Sequence, residues 1–181
     1  MEEEKNLVRK GILDLRPYIP GKPIEEVKRE LGLEEVIKLA SNETSIGPSP
    51  LAVEAIKKEV ENINLYPEGS SRLLREKLAH KLKIDKEMII VGNGADNIID
   101  LVGMAFINEG DEVITGEITF PAYEAAVKIM GGKLILIKLK DFRFDLEKIA
   151  QRINEKTKIV FLCKHNNLNR ENTKRKVYSS F

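Results

Sequence analysis

The chain has 181 residues, 42% of them hydrophobic and 33% charged, with a formal net charge of +1. That composition suits one soluble globular domain, or most of one. The single cysteine, Cys163, excludes a disulfide framework or a multi-cysteine metal site within one chain, and fits a reducing compartment. No apolar run approaches the ~18 residues of a membrane span. The start, MEEEKNLVRKG, is charged and lacks the apolar core of a signal peptide, so the expected location is cytoplasmic. A short basic end (Lys164, Arg170, Lys174, Arg175 and Lys176 against Glu171) follows a slightly acidic body. That is not the basic face of a nucleic-acid binder. Neither His80 nor His165 sits in a metal-ligand pattern.

In chain order, residues 1–24 read as an arm, because LRPYIPGKP holds three prolines and a glycine. Glu25 to Leu31 suits a short helix. VIKLASNETSIGPSP reads as a brief strand and then a turn-rich crossing. Pro50 opens an amphipathic helix with Leu51, Val53, Ala55, Ile56 and Val60 on its inward face. LYPEGSS is a loop, and SRLLREKLAHKL the next helix. Then a rhythm begins: strand 88–91, helix 95–107, strand 112–115, helix 121–130 stopped by Gly131-Gly132, strand 133–139, a helix capped by Asp145, and strand 158–163. Strand–helix–strand units of this length build parallel sheets, so the fold class is α/β. Cys163 closes the last apolar strand and reads as a core thiol.

Two stretches carry chemistry. In IIVGNGADNII a strand runs through Gly92 and Gly94 into a helix whose first N–H groups, near Ala95 and Asp96, could hold a phosphate. The dinucleotide fingerprint G-x-G-x-x-G fails at Asn97, which disfavours a nicotinamide site. A tight turn with Asp96 as helix cap explains the same residues equally well. In ITFPAYEAA, Phe120 and Tyr123 flank a helix start just past a strand end, where ligands of open α/β sheets bind. An aromatic there can stack on a flat cofactor or simply cover the core. Asn42, Glu43, Tyr66 and Arg72 in the loops, and Arg16, Tyr18 and Lys22 on the arm, read by themselves as ordinary solvated groups.

Taken together, LRPYIPGKP, LASNE…GPSP, YPEGSSRLLREKLA, VGNGADNII and TFPAYEAAVKIMGG stand in the order and spacing of one family. From Leu7 to Cys163 the chain resembles the histidinol-phosphate aminotransferases, pyridoxal-phosphate enzymes of fold type I. The resemblance implies an N-terminal arm and part of a small domain over 1–47, a partial cofactor-binding domain over 48–163, and a non-family tail over 164–181. It implies a partial fold type I transferase: an incomplete, mostly parallel sheet with flanking helices. It implies amino transfer between glutamate and imidazole-acetol phosphate, in histidine biosynthesis, by a homodimer. Ala95 and Asp96 match the cradle of the cofactor phosphate, and Tyr123 the aromatic stacked on the pyridine ring. Asn167 matches the asparagine at the ring's phenolic oxygen. Tyr66 matches the tyrosine that reaches the partner subunit's cofactor. Tyr18 and Asn42 match substrate-side positions. Asn97 replaces a usual glutamate, and Thr44-Ser45 a usual Asn-Pro.

The tail breaks the pattern. The family continues as Asn-Pro-Asn-Asn-Pro-Thr-Gly, whereas this chain reads CKHNNLNRENTK, keeping Asn166 and Asn167 only. Asn169-Arg170-Glu171-Asn172 can be encoded AAY AGR GAR AAY, which one base out of register can spell Thr-Gly-Lys. An out-of-frame tail beginning near residues 164–169 is therefore the expectation. By family order, the lysine that forms the Schiff base and the aspartate at the ring nitrogen fall beyond residue 181, so no turnover is expected from this chain alone. Exposed sheet edges imply poor stability without a partner chain. The competing expectation is a non-catalytic α/β module that binds a phosphate ligand or a full-length paralogue.

Overall fold

The computed structural model describes residues 7–17 and 19–166, so Tyr18, Asn167 and the rest of the tail lie outside the described residues. The chain divides into two compact units, Tyr18–Ile90 on the one hand and Met1–Pro17 with Val91–Phe181 on the other.

The second of these is the α/β unit. After helix α1 (Lys10–Leu13), and past α2 (Ile24–Leu31), α3 (Pro50–Glu59) and α4 (Arg72–Leu82) of the other unit in sequence, it runs α5 (Gly94–Phe106), β1 (Glu112–Gly116), α6 (Ala122–Ile129), β2 (Lys133–Ile137), α7 (Leu146–Arg152) and β3 (Thr157–Val160). The three strands form a parallel sheet in the order β2-β1-β3. β1 is central and buried over its whole length, which is why it reads EVITG with little alternation. Its side chains still alternate between faces. Val113 packs with Ile107, Val127, Met130, Leu134, Ile159 and Phe161 on one side. Ile114 packs with Phe144, Leu146, Ile149 and the inner residues of β2 and β3 on the other. Helix α5 crosses α6 at Gly103, where an added Cβ would lie 3.4 Å from that of Ala126. Gly131, at φ +77°, ends α6 as anticipated. Asp145 caps α7, its carboxylate accepting from the Lys148 N–H at 3.1 Å. At the amino end of β1, the buried Glu112 carboxylate accepts from Asn154 Nδ2 at 2.9 Å, with Arg152 Nη1 at 3.3 Å and Lys133 Nζ at 3.6 Å. The Asn154 hydrogen bond, then these cations, hold its pKa below the ordinary value.

The arm residues before Tyr18 belong to this unit. Arg9 Nη1 donates to the Ile129 carbonyl at the end of α6, at 3.1 Å. At Gly11 an added Cβ would stand 1.8 Å from the Lys128 carbonyl oxygen, so α1 lies directly on the α6 backbone.

The other unit contains α2 (Ile24–Leu31), α3 (Pro50–Glu59) continued by a 3₁₀ turn, Val60–Asn62, then α4 (Arg72–Leu82) and a second 3₁₀ turn, Lys86–Met88. None of its described residues is buried. Helix α3 forms, yet its apolar stripe does not face inward: Leu51 is 76% exposed and Ile56 64%. Two expected strands are absent. Residues 36–40 carry no strand, and Met88 lies in the 3₁₀ turn while 89–91 run on without a ladder. A strand needs a hydrogen-bonding neighbour, and no described residue pairs with either run.

Helix α4 starts unusually. A typical N-cap residue is extended and accepts from the first turn, but Ser71 is left-handed at φ 52° and caps nothing. Glu68 takes over from upstream: its carboxylate accepts from the Arg72 N–H at 2.7 Å, the Ser70 N–H at 2.9 Å and the Ser70 hydroxyl. The Ser70 hydroxyl bond, then the two N–H bonds, bring its pKa down to about 2 from the ordinary 4.5. Downstream, Arg75 Nη2 donates to the Lys86 carbonyl at 3.0 Å and to Glu87 Oε2 at 2.9 Å, tying the second 3₁₀ turn to α4.

Two predictions follow from these contacts. Gly11→Ala should lift α1 off α6, because the clashing partner is backbone. Amide exchange at Ile12 and Leu15 should quicken about ten-fold or more while β1 amides stay protected; unchanged exchange in the arm would contradict the docking. Glu68, with its folded pKa depressed, contributes stability that is complete above about 4.5 and lost as pH falls through about 2. The Ser70 and Arg72 amide resonances should therefore titrate with a midpoint near 2. In Glu68→Gln they should not titrate in that window; a midpoint near 4.5 in the unaltered chain would show the cap to be absent.

Candidate cofactor-binding site

The candidate residues fall in two places, the start of α5 and the carboxyl end of β1 with the start of α6. Helix α5 begins at Gly94, whose φ of +88° lets the chain turn sharply from the preceding extended run. Gly92 is needed for a different reason: a Cβ there would come within 2.7 Å of Ile98 Cδ1 and 2.9 Å of Asn97 Oδ1. Asn97 closes the loop by accepting from the Asn93 N–H at 3.0 Å. No side chain caps α5, so Asp96 does not take the capping role that was one of its two readings. The N–H groups of Gly94, Ala95 and Asp96 have no intrahelical acceptor, and the helix dipole adds positive potential at the same point. Uncapped donors after a positive-φ glycine fit a phosphate group.

Tyr123 stands in the first turn of α6, its N–H directed at the Phe120 carbonyl at 3.3 Å. Its ring is neither isolated nor simply core. It stacks on Phe161 with centroids 4.4 Å apart and planes 7° from parallel, and meets the Phe120 ring edge-on at 6.0 Å and 86°. Burial, reinforced by the neighbouring Cys163, pushes the Tyr123 phenol up to about 12. Cys163 packs against the Ile114 cluster and its Sγ faces the His165 carbonyl at 3.5 Å. Beside Tyr123, Thr115, Thr119, Phe120, Leu134 and Leu136 help line a cavity of about 180 Å³. Thr119 Oγ1 is buried there without a hydrogen-bond partner among the described residues.

Asn166 is 2% exposed and donates from Nδ2 to the Ile118 carbonyl at 2.8 Å. It ties the segment after β3 to the loop that carries Phe120 and leads into α6 at Tyr123. Sequence reasoning noted Asn166 only as a surviving motif residue and did not single out Phe161 or Glu68. Nothing in an apolar strand sequence marks Phe161, whereas a glutamate just upstream of a helix start is a legible sign for Glu68.

The remaining expected residues fall elsewhere. Asn42 is exposed in a left-handed turn at φ 53°, after Ser41 at φ 65°. Tyr66 is fully exposed in its own unit. Tyr18 and Asn167 lie outside the described residues. On the arm, Lys22 pairs with Glu30 at 2.5 Å, and Arg16 shares a cleft with Asp14, Glu124 and Lys128. Both signs of charge line that cleft, which gives it no preference for an anion. Among the described residues no group of histidine, cysteine or carboxylate side chains could hold a metal ion, and no helix is long and apolar enough to cross a membrane.

Comparison with known proteins agrees with this geometry. Residues 34–168 match the family model for aminotransferase class I and II. The chain is 48% identical over 159 residues to a histidinol-phosphate aminotransferase of Moorella thermoacetica, covering 88% of this chain and 41% of that protein. It is 48% identical over 161 residues to that of Caldicellulosiruptor saccharolyticus, covering 89% and 45%. Among solved structures, the histidinol-phosphate aminotransferase of Sinorhizobium meliloti, in complex with pyridoxal-5'-phosphate, superposes with a TM-score of 0.75 at 25% identity, covering 87% of this chain and 42% of that one. The chain thus spans less than half the length of these relatives. With a family model matched over most of its length and the corresponding α/β arrangement in its fold, the chain belongs to the class I and II aminotransferases.

Proposed function

We propose that this chain is part of a pyridoxal-phosphate-dependent aminotransferase that moves an amino group between glutamate and imidazole-acetol phosphate in histidine biosynthesis. The observation that carries the reading is the uncapped start of α5 behind Gly94. The N–H groups of Gly94, Ala95 and Asp96 hold the cofactor phosphate there, and the helix dipole favours its charge. Tyr123 takes a face of the pyridine ring and orients it. Bound pyridoxal phosphate supplies the electron sink and carries the amino group. Asn167 is assigned to the ring's phenolic oxygen, and Tyr18 and Asn42 to the substrate. The fully exposed Tyr66, with exposed Ile63 and Leu65 before it, supports assignment to the cofactor of a second, identical subunit. No lysine of this chain is assigned to the cofactor aldehyde; the role of the residues named above is to bind and orient.

The test is calorimetric titration of the chain with 4'-deoxypyridoxine 5'-phosphate, which has no aldehyde to react with surface lysines, and with its unphosphorylated form. Binding should depend on the phosphate. Gly94→Ala, which puts a side chain at a left-handed φ, should weaken it about ten-fold. Equal binding of both compounds, or binding indifferent to Gly94→Ala, would contradict the assignment.

A further inference from the structure

We propose that Phe161 is a positioning residue for the cofactor ring: it holds the plane of Tyr123 so that the opposite face of that ring is presented to a flat heteroaromatic ligand. The proposal rests on the cofactor reading above and goes beyond it, because Phe161 need not touch the ligand. Phe161 lies one residue past the end of β3, yet its backbone remains fixed to β1. Its N–H donates to the Ile114 carbonyl at 2.9 Å, and its carbonyl accepts from Thr115 Oγ1 at 2.9 Å. Thr115 is 1% exposed, so that hydroxyl bond is shielded from water. The Phe161 ring packs with the Val113 and Val127 cluster beneath it. A ring locked in this way is a rigid plate, and Tyr123 lies on it 7° from parallel. Phe120, edge-on at 86°, restrains the same ring from the side.

The physical effect is preorganisation. A tyrosine in the first turn of a half-open helix loses ring freedom when a ligand stacks on it, and that loss weakens binding. With Phe161 the loss is incurred during folding. Aromatic stacking also depends on a correct plane and offset, so a tilted Tyr123 would meet a pyridine ring poorly. The phosphate cradle at α5 does not depend on Phe161. Its removal should therefore weaken a ligand that carries a ring and leave bare phosphate unaffected.

The experiment compares the unaltered chain with Phe161→Leu, which keeps an apolar side chain but not the flat ring, and Phe161→Tyr, which keeps the ring. Affinities are measured for 4'-deoxypyridoxine 5'-phosphate by calorimetry and for inorganic phosphate by phosphorus NMR. The expected result is about a 3- to 10-fold loss for the ring-bearing ligand in Phe161→Leu, recovery in Phe161→Tyr, and unchanged affinity for inorganic phosphate in both. Equal loss for both ligands would mean that Phe161 only supports the fold, and no loss would mean that it does not position the ring; either overturns the proposal. If the unaltered chain binds no ring-bearing ligand, the cofactor reading fails, and the ring resonances of Tyr123 decide the bracing separately. Their ring-current shift should vanish in Phe161→Leu. Persistence of that shift would overturn the bracing as well.

Discussion

Strand β1 is buried over all five of its residues, and both core clusters of the α/β unit are assembled on it, one through Val113 and one through Ile114. No other run of five described residues is buried throughout. The paired strands flank it, α6 and α7 cover its two faces, and the loop leaving its carboxyl end carries Phe120 and leads into the first turn of α6, which carries Tyr123. Burial of both faces removes the freedom of this strand to slip in register, because a one-residue shift would exchange the two cores. The position of the candidate site is inherited from that constraint. Ile114 and Thr115 hold the backbone of Phe161, Phe161 holds Tyr123, and Asn166 ties the segment beyond to Ile118.

The opposite end of β1 is organised by charge. Glu112 gathers Asn154, Arg152 and Lys133 at the amino end of the sheet. The carboxyl end carries the aromatic rings of Phe120, Tyr123 and Phe161. That polarity follows a general property of parallel sheets, in which ligands gather at the carboxyl ends of strands. The start of α5 adds an anion-seeking feature, N–H groups left open because neither Asn93 nor Asp96 caps the helix.

Much of this was legible in sequence. The alternation from helix 95–107 to strand 158–163 is legible with boundaries within a few residues, because its segments carry their own apolar period and their own start or stop: Gly131-Gly132 ending α6, Asp145 opening α7. The glycine pair 92 and 94 and the aromatic pair 120 and 123 were visible as candidates. The failures share one cause. The runs VIKLA and MIIV have the composition of strands, but a strand exists only with a neighbour, and no local sequence states whether one is present. The stripe of α3 failed likewise: its period predicts a face to be buried, and Leu51 and Ile56 remain exposed. Phe161 was hidden because its distinction is a plane and a distance to Tyr123, which an apolar run does not encode. The family resemblance supplied roles for Tyr18, Asn42, Tyr66 and Asn167 that no local physical signal would have suggested.

The central claim is that the start of α5 and the face of Tyr123 opposite Phe161 form one platform for a phosphorylated pyridine. The most direct measurement is a crystal structure of the chain grown with 4'-deoxypyridoxine 5'-phosphate. The account predicts phosphate oxygens accepting from the N–H groups of Gly94, Ala95 and Asp96, and the pyridine ring lying on Tyr123 opposite Phe161. Phosphate held instead by Arg16 and Lys128, or a pyridine ring that leaves Tyr123 uncovered, would contradict it.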